Sequence, residues 1–206
     1  MKLRFAPSPT GMLHVGNARQ VIANALYARR HKAKFQLRID DTDSERSREI
    51  YAEASRADLG WLGVSWDETF RQSERLARYE LAIEYLKETG RLYPCFESEQ
   101  ERAAKREMRI RQHKPPIYDL AMLKLTPEQR ASAEANGKVP YWRFRLSDEI
   151  VFWKDLVMGQ CQVKLTAISD PILVRSDGTV LYTLASIVDD IETGVTHIIR
   201  GEDHVT

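Results

Sequence analysis

Arg4 and Ser8, then Asp40, then Arg200 and Glu202, stand where three short apolar runs end, and His14-Val15-Gly16-Asn17 follows the first of those runs. These residue types admit a narrow range of chemistry. A guanidinium presents a planar fork that matches a carboxylate or phosphate. A chain that turns from a strand into a helix near residue 15 leaves free backbone N–H groups at the strand's carboxyl end, a natural phosphate site. A nearby acid can meet an amine. An α-amino acid with an acidic side chain, bound beside a nucleoside triphosphate, fits the set, and so do several other ligands. Each arginine taken singly is more often a surface or salt-bridge residue.

The surrounding pattern says which elements must position these groups. Leu3-Arg4-Phe5 reads as a short strand, and residues 17–31 carry Ala18, Val21, Ile22, Ala25, Leu26 and Ala28 at helical spacing, with Arg29, Arg30 and His31 favouring the last turn. Phe35–Ile39 alternates as a second strand. A strand–helix–strand crossover of this length is right-handed in nearly all cases, which predicts an open α/β sheet with a crevice at the carboxyl ends of its strands. Thr42 and Glu45 have capping-box spacing for a helix running to Leu59, which explains Thr42 and Asp43 but does not require Asp40 or Asp41. A second amphipathic helix is predicted over Ser73–Thr89, with Leu76, Tyr79, Ile83 and Leu86 as core and Gly90 as its stop.

The texture changes near Tyr93-Pro94. Residues 98–114 form a highly charged helix opened by Ser98 and Glu101, carrying Arg102, Lys105, Arg106 and Arg109, and closed by Pro115-Pro116. Such a run is usually a solvated face, and contact with an RNA backbone is the sharper alternative. A capped helix from Thr126-Pro127, strands at Tyr141–Arg145, Ile150–Trp153 and Val163–Leu165, and a hairpin around Ser176-Asp177-Gly178-Thr179 complete an α+β insertion. Beyond it, Leu184–Ile191 is helical and Thr196–Arg200 is a third central strand. A parallel sheet of three strands leaves an uncovered edge, so a fragment of a larger domain is expected.

Composition narrows the partners. Lys and Arg number 31 against 30 Asp and Glu, so a nucleic-acid site must be a local basic patch. No long apolar run or leader follows Met1, and no membrane association is expected. Cys95 and Cys161 lack partners at ligand spacing, which argues against zinc and for a reducing, cytoplasmic setting.

The stretch R-F-A-P-S-P-T-G-M-L-H-V-G-N-A-R (Arg4–Arg19) resembles the signature of glutamyl-tRNA synthetase, a class I aminoacyl-tRNA synthetase, with His14-Val15-Gly16-Asn17 in the place of that class's H-I-G-H motif. Three further blocks agree in order: L-R-I-D-D-T-D (Leu37–Asp43), S-D-G-T-x-x-Y (Ser176–Tyr182) and V-D-D-I-x-x-G-x-x-H-I-I-R-G-E-D-H (Val188–His204). The resemblance implies a Rossmann-type catalytic domain that forms glutamyl-adenylate from glutamate and Mg-ATP and then charges the 3′ end of tRNA(Glu), with tRNA(Gln) left open as a second acceptor. It implies catalytic domain over residues 1–90, an acceptor-stem-binding insertion over 91–178, and the start of the second catalytic half over 179–206. It assigns Arg4, Ser8, Asp40, Tyr182, Ser186 and Arg200 to glutamate, and Ala6, Pro7, His14, Gly16, Glu202 and Asp203 to ATP. His14, Gly16 and Asn17 become the catalytic motif, and Arg102, Lys105, Arg106 and Arg109 the candidates for tRNA. A monomer without zinc is expected.

This chain departs from the pattern in places. Asp40 is one methylene shorter than the Glu frequent there, Asn17 replaces the last His, and Ser186 stands where some relatives have Asn. No K-M-S-K-S-like motif is present. The alternatives are a glutamyl-Q-tRNA(Asp) synthetase-like modifying enzyme, against which His14-Val15-Gly16-Asn17-Ala18-Arg19 argues, and a nucleotide- or tRNA-acceptor-binding module without turnover.

Overall fold

In the computed structural model, which describes residues 1–201, strand β1 (Lys2–Phe5) passes through helix α1 (Val15–Arg30) to strand β2 (Lys34–Ile39). The two strands pair in parallel with Leu3 opposite Phe35 and Phe5 opposite Leu37. Helix α2 (Glu49–Trp61) then leads to strand β3 (Glu68–Arg71), which adds in parallel to the other edge of β2. Side chains of a strand alternate between faces. Leu3, Phe5, Phe35, Leu37 and Ile39 therefore share one face, where Val21 and Ala28 of α1 and Ala52 and Leu59 of α2 complete the apolar core. Arg4, Gln36, Arg38 and Asp40 fall on the opposite face. That face is covered by helix α6 (Tyr182–Glu192) and by Gln72, Arg75 and Tyr79 around the start of helix α3 (Leu76–Glu88).

Several elements differ from the sequence expectation. Strand β3 was not anticipated, because Glu68-Thr-Phe-Arg71 is too short and too polar to announce itself. The expected strand at Thr196–Arg200 is reduced to a single parallel bridge between Leu3 and His197, which still places this segment on the free edge of β1. Helix α2 begins at Glu49 instead of near Asp43. Asp43 closes a separate turn on the N–H of Arg46 (3.1 Å), and the N–H of Arg48 donates to the Pro9 carbonyl (2.9 Å), with Arg48 itself extended ahead of the helix. Leu76, expected in the core, is 49% exposed, whereas Tyr79 is fully buried.

The chain divides into two compact units, Met1–Leu81 with the segment from Tyr182 onward, and Ala82–Leu181. In the second unit, strands β4 (Leu92–Cys95), β5 (Tyr141–Phe144) and β8 (Ile172–Val174) form an antiparallel sheet in that order. Strands β6 (Ile150–Asp155) and β7 (Gly159–Lys164) form a separate hairpin, and α4 (Glu99–Arg111) and α5 (Pro127–Ala135) carry the expected reciprocal caps at Ser98 and Thr126. One core cluster here consists of Tyr93, Cys95 and Tyr141, with Tyr118 and Ile172 against them, and Leu92, Phe96, Leu173 and Val174 are buried as well. Burial pushes the Cys95 thiol up to about 11. Glu97 is buried beside this core and satisfied by Lys105 (2.5 Å), Tyr118 (2.9 Å) and Tyr141 (3.1 Å).

The polar face of the first unit is sensitive to single atoms. The Tyr79 hydroxyl donates to Asp189 at 2.9 Å with both residues fully buried. Tyr79→Phe removes one donor from a buried carboxylate and is expected to cost about 1.5–3 kcal/mol in urea unfolding. A change within experimental error would mean that the bond contributes nothing net.

Candidate active site

Arg38 is the centre of the polar face. It is 0% exposed, and all five of its N–H donors find an acceptor, one from Nε and two from each terminal nitrogen. Nε and Nη2 grip Asp40 as a fork at 2.6 and 3.0 Å. Nη1 donates to Asp190 (2.9 Å) and to the Ser186 carbonyl (3.3 Å), and Nη2 also reaches the Ser186 hydroxyl (2.9 Å). Arg4 makes its own fork on Asp190, from Nε at 2.6 Å and Nη2 at 2.8 Å, and shares the Ser186 hydroxyl at 3.3 Å. Asp190 and Ser186 thus couple the two arginines. Arg4 differs from Arg38 in one respect that matters chemically: among the described residues its Nη1 has no hydrogen-bond partner.

Electrostatics follow from burial. Desolvation pushes the Asp40 carboxyl above its ordinary range, and the Arg38 fork pulls against that rise. For Arg38, burial opposes the charge, and the bonds to Asp40 with Asp190 and Asp189 nearby outweigh it, so the guanidinium is held charged. Asp189, fully buried, is balanced in turn by Arg75 (2.7 Å), Gln72 (2.8 Å) and Tyr79.

A cleft of about 410 Å³ opens beside the same sheet, lined by His14, Gly16, Asn17, Arg19, Gln20, Ala23, Ile199, Arg200 and Gly201. Its position has a topological cause. The chain runs from β1 outward through β2 to β3, while the segment at His197 lies on the other side of β1, so the cleft forms where the strand order reverses. Buried Asn24 holds the two walls together by donating to the Ile199 carbonyl at 3.0 Å. At the cleft floor α1 begins with an unusual cap. The Gly16 N–H donates to His14 Nδ1 (3.1 Å), and Asn17 Oδ1 accepts from the His14 N–H (3.1 Å). A Cβ on Gly16 would lie 2.8 Å from His14 Cε1, so only glycine leaves room for the imidazole in this orientation. Because Nδ1 accepts, neutral His14 must carry its proton on Nε2, leaving an N–H donor available to a ligand. Arg200 donates to the Tyr182 hydroxyl and stacks 5.3 Å over that ring, with its Nε buried and without a hydrogen-bond partner among the described residues.

The structure thus brings Arg4, Asp40 and Ser186 into one network, Tyr182 and Arg200 into contact, and His14, Gly16, Asn17 and Arg200 around one cleft. Ser8 is exposed, and Pro7 is buried with its carbonyl accepting the Asp40 N–H at 3.0 Å, which anchors the loop containing Ala6 to the end of β2. Glu202 and Asp203 lie outside the described residues. In the second unit Lys105 is engaged by Glu97 and Asp119, Arg102 stacks 4.5 Å over Tyr141, and Arg109 donates to the Pro115 carbonyl at 2.9 Å. Arg106 makes no hydrogen bond or ion pair among the described residues. Arg38, Asp189 and Asp190 were missed by sequence reasoning. The available signal was an arginine two residues before Asp40 in a strand buried on both faces, where a charge must be paired.

A parallel sheet with a helix N-terminus and an arginine at its switch-point cleft is the arrangement of an α/β fold of the Rossmann type. The chain belongs to the class I tRNA synthetases (E and Q), whose catalytic-domain family matches residues 1–206. It is 75% identical over 206 residues to glutamate–tRNA ligase 2 of Gluconacetobacter diazotrophicus and 69% identical to that of Gluconobacter oxydans, covering all of this chain and 46% of each relative. It also superposes on the crystal structure of a glutamate tRNA ligase from Elizabethkingia meningosepticum in complex with its amino acid, with a TM-score of 0.86 and 30% identity over 98% of this chain and 44% of that one. The chain spans less than half the length of these relatives. No helix among the described residues is long and apolar enough to cross a membrane.

The cap geometry makes a direct prediction. Long-range ¹H–¹⁵N spectra of the neutral His14 ring should show Nδ1 as the unprotonated nitrogen throughout, and Gly16→Ala should weaken that preference to the mixed tautomer ratio of an unconstrained imidazole. A protonated Nδ1 in the unaltered chain would contradict the cap.

Proposed function

We propose that this chain is the catalytic-domain portion of an enzyme that activates L-glutamate with ATP and transfers the glutamyl group to the 3′ end of tRNA(Glu), acting as a cytoplasmic monomer. tRNA(Gln) is a second acceptor to be tested. The observation that carries this reading is the convergence of the His14–Gly16–Asn17 helix start and Arg200 on one switch-point cleft.

In the first step a glutamate carboxylate oxygen attacks the α-phosphorus of ATP, bound with Mg²⁺, and the bond to pyrophosphate breaks. The substrate supplies the nucleophile, so the protein's task is alignment and charge stabilisation. His14 donates its Nε2–H to a phosphate oxygen, and the free N–H groups of the α1 start add to the same field. Arg200 holds one glutamate carboxylate with Tyr182 fixing its direction, and the free Nη1 of Arg4 takes another carboxylate oxygen, with Ser8 beside it. Asp40 keeps a lone pair on each oxygen for the substrate ammonium. Ala6, Pro7, Gly16 and, beyond the described residues, Glu202 and Asp203 frame the nucleotide. In the second step a ribose hydroxyl of the tRNA end attacks the carbonyl carbon, its proton leaves, and AMP departs. Residues 91–178 serve as the acceptor-stem-binding insertion, with Arg106 the freest of the four basic candidates for a phosphate contact and Arg102, Lys105 and Arg109 partly committed to the fold.

Glutamate-dependent ATP–pyrophosphate exchange by the protein extended to the length of its relatives is the test. Exchange that requires tRNA is expected, and no exchange under any condition would overturn the reading. In the same protein Arg200→Ala should raise the glutamate KM by about tenfold or more, since a carboxylate loses its charged partner. His14→Ala should lower kcat by about 10²–10³ with little change in the ATP KM, as for a donor whose bond strengthens in the transition state.

A further inference from the structure

Arg38 was not among the residues assigned to substrate, and its five satisfied donors leave it nothing to offer a ligand. Its partners are the two groups that the proposed function sends to glutamate: it forks onto Asp40, and it reaches Arg4 through Asp190 and Ser186. Asp190 Oδ1 takes Arg4 Nε at 2.6 Å and Arg38 Nη1 at 2.9 Å, so one oxygen sets the separation of two guanidinium groups. Without Arg38, that oxygen and the Ser186 hydroxyl could follow Arg4 to other rotamers, and Asp40 would be a buried acid without its fork.

We propose that Arg38 is a positioning residue, which fixes the Arg4 guanidinium and the Asp40 carboxylate in the mutual orientation that recognises the substrate amino acid. The part of this that concerns glutamate rests on the function proposed above. The geometry requires a fork, not merely a positive charge. A lysine at position 38 has three donors on one nitrogen and cannot span Asp40, Asp190 and Ser186 together. Its flexible stem also leaves Asp190 free to turn.

The decisive comparison is Arg38→Lys, which keeps the charge and removes the fork. Hydrogen exchange of the Arg4 Nε–Hε group, assigned by its loss in Arg4→Lys, reports the orientation of Arg4 without any ligand. Asp190→Asn supplies the reference for a released Arg4. Exchange in Arg38→Lys is expected to quicken by about tenfold or more toward that reference, with the circular dichroism spectrum unchanged. Ser186→Ala, which deletes a hydroxyl and no charge, should quicken it by a few-fold and answers the question if the buried lysine unfolds the chain. Calorimetric titration with L-glutamate then separates the two ideas. Glutamate binding about tenfold weaker in Arg38→Lys, with both carboxylate-binding arginines retained, is the expected result. Arg4 exchange unchanged in Arg38→Lys, or in Ser186→Ala where the lysine variant does not fold, overturns the positioning role. Equal glutamate binding by the unaltered chain and Arg38→Lys overturns it as well, while leaving the proposed function standing. Arg4 exchange that depends on Arg38 in a chain that does not bind glutamate would retain the geometric coupling and reject the function.

Discussion

A guanidinium taken wholly out of water costs several kcal/mol in lost hydration, and a folded chain keeps one only by meeting each N–H with an acceptor of suitable charge. Arg38 is that case, and the requirement propagates. Its five acceptors come from the end of its own strand and from two positions on α6, so the helix must lie against the polar face of β1 and β2 in one register. Asp189, next to Asp190 on the same helix, then needs donors of its own, and Gln72, Arg75 and Tyr79 supply them. The two faces of this sheet are held by different physics. One is an apolar core, non-directional and tolerant; the other is a set of ion pairs that fixes angles.

Angular precision is what a ligand-binding acid and base require. A hydrophobic cover over β1 and β2 would stabilise the sheet as well, since buried ion pairs are seldom more stabilising than well-packed apolar replacements. It would not hold Arg4 as an oriented fork whose Nη1 has no partner among the described residues. The neighbouring cleft shows the same economy of parts. His14 uses one ring nitrogen to cap α1 and keeps the other as a donor, Asn17 closes the reciprocal bond, and the missing Cβ of Gly16 is what lets the ring lie there.

Much of this was legible beforehand, and the misses share a cause. The β1–α1–β2 unit followed from alternation at Leu3 and Phe5 and at Phe35, Leu37 and Ile39, because apolar burial writes itself as periodicity. The caps at Ser98 and Thr126 were readable because they depend on residues three apart. Strand β3 was not, since three of its four residues are half-buried, Thr69 is exposed, and no apolar alternation results. Thr42 was misread as a cap because its spacing was right, while the competing bond from Arg48 to Pro9 lies outside any local window. Among the site residues, Arg4, Asp40 and Arg200 stood out by type at strand ends. Arg38, Asp189 and Asp190 did not: the Arg38–Asp40 pair is local, but the pairings that join Arg38 to α6 and Asp189 to the start of α3 cross 152 and 110 to 117 residues of chain. The basic run of α4 shows the converse: Lys105 and Arg109 look free in sequence and are engaged in the fold.

The most direct test of the central claim is a crystal structure of this chain soaked with L-glutamate. The account predicts one substrate carboxylate on Arg4 Nη1 and another on Arg200, with the Arg4–Asp190–Arg38–Asp40 chain of bonds unchanged. Glutamate bound elsewhere, or bound only after Arg4 has left Asp190, would contradict it.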